Sequence, residues 1–246
     1  MTKVLVTGAS GYIGNVLCEQ LLSKNYNVTA VDNFMYGQSS TGLNLCSYPN
    51  YEIYDVDVRD EQVMKEHYEK ADIVIPLAAI VGAPASKKAI KTTEEINYEV
   101  IRAMCRNLSK DQLVLFPVTN SGYGISKGQA MCTEESDLNP ISHYARTKVE
   151  AEKIILQELN NKATFRLATV FGISNRMRLD LLVNDFTYKA LSDRYIVLFE
   201  HNFRRNYIHV KDVSNVFVFA IENPDLVNNN IFNVGLSSAN LTKYEL

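Results

Sequence analysis

Val4-Leu5-Val6-Thr7-Gly8-Ala9-Ser10-Gly11-Tyr12-Ile13-Gly14 decides the reading of this chain. A short apolar run ends at a turn carrying three glycines, and an apolar-periodic stretch follows from Tyr12 to Lys24. The run predicts a strand and the stretch a helix. Outward from this unit the pattern repeats. Val28 to Val31 reads as a second strand ending at Asp32, and Tyr51 to Val58 alternates like a third. Gln62 to Glu69 reads as helix, Asp72 to Leu77 as a buried strand, Glu94 to Leu108 as a long helix and Leu113 to Val118 as a strand. Asn139-Pro140 precedes a helix over Ser142 to Leu159, and Thr164 to Val170 is again strand-like. Strands separated by helices imply right-handed crossovers and a parallel sheet covered on both faces.

After Gly172 the pattern loosens. A helix is expected over Asp180 to Leu191, a short strand over Tyr195 to Phe199, a helix over Val210 to Ile221 and a strand over Ile231 to Val234. Thr242 and Glu245 stand at the positions of a capping box. A helix starting there would end one turn later, which implies a chain that is cut short. The expected fold class is α/β: a Rossmann-type doubly wound parallel sheet with a smaller C-terminal lobe.

Composition limits the function. The 246 residues allow one large domain, or a domain plus a lobe. Apolar residues make up 46% and charged residues 22%, ordinary for a globular protein and too apolar for disorder. The net charge of −3 offers no basic surface for nucleic acid or anionic membrane. The longest mostly apolar run, Ile73 to Ala85, contains Pro76 and Pro84 and is too short to span a bilayer. No secretory h-region precedes Gly8. Cys18, Cys46, Cys105 and Cys132 form no zinc or redox spacing, and His67, His143, His201 and His209 share no ligand spacing. The expectation is reduced thiols in a cytoplasmic protein, without a metal site.

The glycine turn predicts a dinucleotide site. Gly8 and Gly11 let the turn fold tightly and let backbone N–H groups approach a pyrophosphate, while Gly14 lets the helix pack on the sheet. The helix N-terminus adds a favourable field for the anion. Asp32 lies 18 residues past Gly14, at the end of the second strand. A carboxylate there accepts from a ribose 2′-hydroxyl and repels a 2′-phosphate. Asn33 and Phe34 follow, with no arginine beside them. NAD is therefore expected over NADP.

Tyr144 and Lys148 lie four apart on a predicted helix and share a face. A free phenol is a poor base near neutrality. A nearby ammonium and a cationic nicotinamide both favour the phenolate. Such a base suits removal of a proton from an alcohol as hydride leaves its carbon.

With these two motifs the chain resembles the extended short-chain dehydrogenase/reductases, the class of NAD-dependent nucleotide-sugar epimerases and dehydratases. The resemblance runs from Lys3 to Lys243. It implies that Tyr12 and Ile13 join the glycines at the cofactor, that Asp57-Val58 meets the adenine ring, and that Leu77-Ala78-Ala79 lies along the cofactor. It also implies a cofactor-side role for Asn97, which helps place the active-site helix. In Val118-Thr119-Asn120-Ser121-Gly122-Tyr123-Gly124, Thr119 matches the catalytic hydroxyl. The segment Arg205 to Asp212 matches one whose arginine holds the substrate diphosphate; His209 within it reads as a packed core histidine. Ser121, Arg178 and Asn184 are further expected substrate contacts. Residues 1–172 would be the NAD-binding domain and 173–246 part of a nucleotide-sugar lobe, the two interleaved. The family is commonly dimeric through two helices per subunit, here Glu94 to Leu108 and Ser142 to Leu159.

Two departures from the family matter. Asn120 and Ser121 replace the acidic residues that dehydratases place after the threonine, so 4,6-dehydration is disfavoured. Thr169 replaces an asparagine that many epimerases use on the phosphate. The stretches Thr119 to Gly124, Cys132 to Ser142, Arg166 to Phe186 and Phe203 to Asp212 are similar to a bacterial subgroup that oxidises C4 of GDP-manno-heptose for surface-polysaccharide synthesis. The alternatives are a UDP-glucose/galactose 4-epimerase and, further off, an NAD-sensing regulator without catalysis. A regulator would be expected to lose Tyr144 or Lys148, and both are present.

Overall fold

The computed structural model describes residues 1–125 and 131–246. Strand β1 (Lys3–Thr7) runs into the glycine turn and helix α1 (Tyr12–Ser23). Then come β2 (Asn27–Asp32), a 3₁₀ segment (Ser39–Ser47), β3 (Tyr51–Asp55), α2 (Glu61–Lys70) and β4 (Ile73–Pro76). Helices α3 (Ala83–Lys88) and α4 (Ile90–Glu94) follow, and α4 continues through one π-helical stretch (Glu95–Glu99) into α5 (Val100–Asn107). Beyond lie β5 (Leu113–Thr119) and α6 (His143–Glu158). Next are β6 (Asn161–Leu167), β7 (Thr169–Phe171) and α7 (Leu182–Ser192). The last elements are β8 (Arg204–His209), α8 (Val210–Glu222), α9 (Pro224–Val227), β9 (Asn230–Val234) and β10 (Asn240–Thr242).

Seven strands form one parallel sheet in the order β3-β2-β1-β4-β5-β6-β9. Chain order reverses between β1 and β4. That is the switch point of a doubly wound sheet, where ligands sit outside the strand ends. Alternate residues of β1 serve opposite faces. Val4 and Val6 pack with Leu17, Leu21, Phe165 and Phe217 on the α1/α8 side. Leu5 packs with Met64, Val74, Met104, Phe116 and Ile155 on the α2/α5/α6 side. Both faces are buried, as a parallel sheet requires. Strand β9 and helix α8 come from beyond residue 172, so the C-terminal part of the chain completes this sheet. Strands β10, β8 and β7 make a second, small sheet.

Four expectations change. The single strand over Thr164 to Val170 is two strands in different sheets. The break falls at Ala168, whose N–H still donates to Val234 O (2.8 Å) before the chain leaves the main sheet. Tyr195 to Phe199 forms no strand: its side chains are exposed and no strand among the described residues offers a ladder, and the pairing strand is β8 instead. The helix predicted from Glu94 starts at Ile90 and carries the π-helical stretch. At the chain end, the capping-box bonds do form between Thr242 and Glu245 (2.9 and 3.1 Å), but they close a turn, not a helix.

Candidate active site

Gly8 takes φ +68°, and a Cβ there would lie 2.6 Å from Ala78 N. A Cβ on Gly14 would run into the Gly8 carbonyl oxygen. The turn therefore packs backbone against the end of β4, which only glycine permits. Gly8 N–H and Ala9 N–H both donate to Val31 O (2.8 and 3.3 Å), which pins the turn to β2. The first helical bond of α1 runs from Asn15 N–H to Gly11 O. The amides of Tyr12, Ile13 and Gly14 thus stand outside the helical ladder, as at any helix start, and Gly11 brings no side-chain cap. Beside them Ser10 Oγ is buried without a hydrogen-bond partner among the described residues. Free amides, an orphaned hydroxyl and a cradle without room for a Cβ fit a dinucleotide pyrophosphate.

Asp32 ends β2 and is buried. Its carboxylate accepts from Ser10 N–H (3.0 Å), Phe34 N–H (2.9 Å) and Gln38 Nε2 (3.3 Å). Burial raises its pKa; the two backbone bonds and the charge of Arg176 oppose that, while Asp55 adds to it. Asn33 Nδ2 donates to Asp57 Oδ2 (3.1 Å). Asp57 also takes two side-chain bonds from Arg59, which hold its carboxyl well below the usual range. Arg59 bridges on to Glu95 at 2.9 Å. Val58, next to Asp57, is buried.

At the end of β4, Leu77 N–H donates to Thr7 O (3.0 Å) and Ala78 N–H to Thr7 Oγ1 (3.4 Å). Ala79 is half-buried between them and Ile80. Asn97, on the π-helical stretch, is 1% exposed. Its Oδ1 accepts from Ile80 N–H (2.8 Å), and its Nδ2 donates to Ile80 O (3.0 Å) and Thr147 Oγ1 (3.3 Å). These bonds engage both ends of the amide. Asn97 is a positioning residue that ties the β4 loop to α6, and it presents no free polar atom to a cofactor.

Helix α6 carries Tyr144 and Lys148. Ser142 caps it by accepting from Ala145 N–H (3.1 Å). Tyr144 and Lys148 sit on its first turns, over the end of β5, where Thr119 is buried. Thr119 faces the Tyr144 phenol. Burial pushes the phenol up to about 12, against the charge of Arg178 and the hydrogen bond of Thr119. Burial pushes Lys148 down to about 7, against the charge of Glu152. The Lys148 ammonium stands 3.9 Å above the Phe116 ring.

On the substrate side, Arg178 is ion-paired with Asp180. Asn184 is buried and spent internally. It accepts from Gly172 N–H (3.0 Å) and donates to Tyr12 Oη (3.1 Å) and Arg178 O (3.0 Å). Tyr12 in turn donates to Gly172 O (2.6 Å). Asn184 therefore fixes the 172–181 loop over α1. Ser121 is exposed, and its N–H donates to Thr119 Oγ1 (3.2 Å). Arg205 is exposed on β8 of the small sheet.

Two groups escaped the sequence reading. Arg176, far from Asp32 in sequence, lies over the Tyr36 ring on the loop that follows Asp32 (4.9 Å), and its charge lowers the Asp32 pKa. The other is a buried network. Arg166, 4% exposed, pairs with Glu152, 1% exposed (3.1 Å), and donates to Tyr123 Oη (2.9 Å). Tyr123 donates to Asn233 Oδ1 (2.6 Å). Every partner is on a different element, so no local spacing marks the set.

Known proteins resemble this chain over most of its length. The model of the NAD dependent epimerase/dehydratase family matches residues 4–235. An uncharacterised UDP-glucose epimerase of Bacillus subtilis is 27% identical over 260 residues, spanning 98% of this chain and 79% of the relative. A putative UDP-glucose 4-epimerase of Methanocaldococcus jannaschii is 26% identical, over 94% of this chain and 76% of that one. Among solved structures, the UDP-glucuronic acid 4-epimerase of Bacillus cereus superposes with a TM-score of 0.85 at 24% identity, covering 95% of this chain and 77% of its own. The glycine turn, the α6 pair and the parallel sheet all fall within the matched span, so the chain belongs to the NAD dependent epimerase/dehydratase family and is an enzyme of nucleotide-sugar chemistry with NAD as its cofactor.

Proposed function

We propose that the enzyme oxidises C4 of a nucleotide-diphosphate sugar. The Tyr144 phenol beside Thr119, with Lys148 one turn on along the same helix, carries this reading, and the charge of Arg178 favours the phenolate. The C4 hydroxyl would lie between Thr119 and Tyr144. NAD, when bound, supplies the hydride acceptor. Tyr144 takes the hydroxyl proton, and Thr119 orients that oxygen by one hydrogen bond. Before ligands arrive the phenol is protonated at neutral pH. Its conversion to a base needs the positive charge that the occupied cleft and a protonated Lys148 supply. Lys148 would also hold the nicotinamide ribose. Arg178 and Arg205 would neutralise the substrate diphosphate, with Ser121 beside the sugar. Gly8, Gly11, Tyr12, Ile13 and Gly14 would carry the pyrophosphate, and Asp32, Asn33, Asp57 and Val58 the adenosine.

Two outcomes share this step. Return of hydride to the other face of a turned 4-keto sugar makes a 4-epimerase, and the relatives named as UDP-glucose epimerases favour that. Release before return makes a net 4-dehydrogenase, which the segment similarity to the GDP-manno-heptose subgroup favours. In our reading the latter is the native reaction, serving surface-polysaccharide synthesis in the cytoplasm. Residues 1–172 would serve NAD and 173–246 the sugar nucleotide. A homodimer through α5 and α6 belongs to the same reading, and sedimentation checks it. No helix among the described residues is long and apolar enough to cross a membrane. The deciding experiment screens GDP-, UDP-, dTDP- and CDP-sugars with products identified by mass. A product two mass units lighter than a GDP-heptose supports the dehydrogenase; conversion of UDP-sugars alone, without mass change, overturns it in favour of epimerisation.

A further inference from the structure

We propose that Arg176 is a second determinant of dinucleotide choice, acting beside Asp32 at the ribose end of the cleft. The proposal rests on the dinucleotide lying across the glycine turn as described above.

Arg176 belongs to the loop joining β7 to α7, outside the first strand–turn–helix unit. Its guanidinium carbon lies 4.9 Å from the centroid of the Tyr36 ring, within cation–π range. Tyr36 sits on the loop that follows Asp32. Tyr36 N–H donates to Gln38 Oε1 (2.9 Å), and Gln38 Nε2 donates to Asp32 Oδ1 (3.3 Å). The arginine's own loop is anchored on the same surface. Asn175 Nδ2 donates to Thr41 O and to Asn44 Oδ1, both at 3.3 Å. Thr41 Oγ1 donates back to Ser10 O in the glycine turn (3.2 Å). Two segments some 140 residues apart in sequence are thus fastened together around one carboxylate.

The charges there are mixed. Asp55 pushes the Asp32 pKa up and Arg176 pulls it down. Arg178, the other cation of the loop, pairs with Asp180 and its charge acts on Tyr144. A lone buried carboxylate would repel a 2′-phosphate. The Arg176 fork, held on the face of Tyr36, offers that phosphate a planar pair of donors. Discrimination against NADP is therefore weaker than Asp32 alone would impose, and Arg176 sets how much weaker.

The test is calorimetric titration of NAD and of NADP into four proteins: wild type, Arg176→Ala, Asp32→Ala and the double variant. Asp32→Ala is expected to gain NADP affinity. Adding Arg176→Ala should remove on the order of tenfold of that affinity, while NAD binding by the single Arg176→Ala protein stays within about twofold of wild type. Arg176→Lys in the Asp32→Ala background, which keeps the charge and loses the fork, should fall between. A gain that survives Arg176→Ala intact overturns the proposal, as does an equal loss of both dinucleotides. Wild-type protein that binds neither dinucleotide defeats the reading of the cleft itself. NAD binding with an NADP affinity that Arg176→Ala leaves unchanged in both backgrounds defeats only the role of Arg176.

Discussion

The Lys148 ammonium lies over the face of the Phe116 ring, 3.9 Å from its centroid, in the interior between α6 and β5. The ring recovers only part of the hydration that the charge loses, which is why burial pushes this lysine from 10.5 down to about 7. Between those values the folded protein binds fewer protons than the unfolded chain, so stability rises with pH across that window. Below about pH 7 the fold carries the full penalty of a buried charge. Lys148→Met should therefore stabilise the protein without dinucleotide near pH 6, by about 2 kcal/mol or on the order of 5 °C in Tm. The advantage should shrink as pH approaches 10. Melting curves of both proteins over that range check it; a Met variant that melts lower at pH 6 defeats it.

Asp32 predicts a strong preference for NAD. Its carboxylate accepts a ribose hydroxyl and meets a 2′-phosphate with like charge. Asp32→Ala should narrow the ratio of the two affinities by about ten- to a hundredfold. Equal binding of both dinucleotides by wild-type protein, measured by calorimetry, would contradict this role.

Asn97→Ala removes both partners of the Ile80 backbone and the bond to Thr147. Buried N–H and C=O groups left without partners predict a loss of about 2–3 kcal/mol in unfolding free energy. Because the clamp joins the β4 loop to α6, hydride transfer should slow as well. Denaturant melts and single-turnover rates separate the two effects; a variant unchanged in both would show the clamp to be idle.

Glu152→Gln leaves the Arg166 guanidinium buried without its carboxylate. Breaking one partner of such a pair typically destabilises by about 3–5 kcal/mol. A guanidinium chloride midpoint equal to wild type would mean that Tyr123 and the Glu134 carbonyl, its other acceptors, hold the arginine unaided.

What was legible in the sequence follows from range. The glycine turn, Asp32 and the Tyr144/Lys148 pair are local patterns, set by the spacing of a turn and of one helical turn, and the structure places them around one set of strand ends. Arg176 on Tyr36 and Asn97 on Ile80 are contacts across the chain, and no period announces them. The split of Thr164 to Val170 into two strands was hidden for a similar reason. A run of strand-forming residues does not say where the chain changes sheet. Tyr195 to Phe199 failed in the opposite way, with strand-like composition and no strand beside it to pair with.

Tyr144→Phe should nearly abolish hydride transfer while leaving nucleotide-sugar binding largely intact. The ring keeps its packing on α6 and loses only the hydroxyl that carries the proton. Removing a general base typically slows a reaction by about 10²- to 10⁴-fold. Thr119→Val should slow it less, because it removes one hydrogen bond to the reacting oxygen. Lys148→Met should fall near Tyr144→Phe and also weaken NAD binding, since it serves both groups. The measurement is single-turnover reduction of bound NAD by the sugar, with each variant's affinities determined separately. An unimpaired Tyr144→Phe protein would remove the proposed chemistry. A normal Thr119→Val beside an impaired Ser121→Ala would move the hydroxyl role two residues along the same loop, where Ser121 already donates its N–H to Thr119.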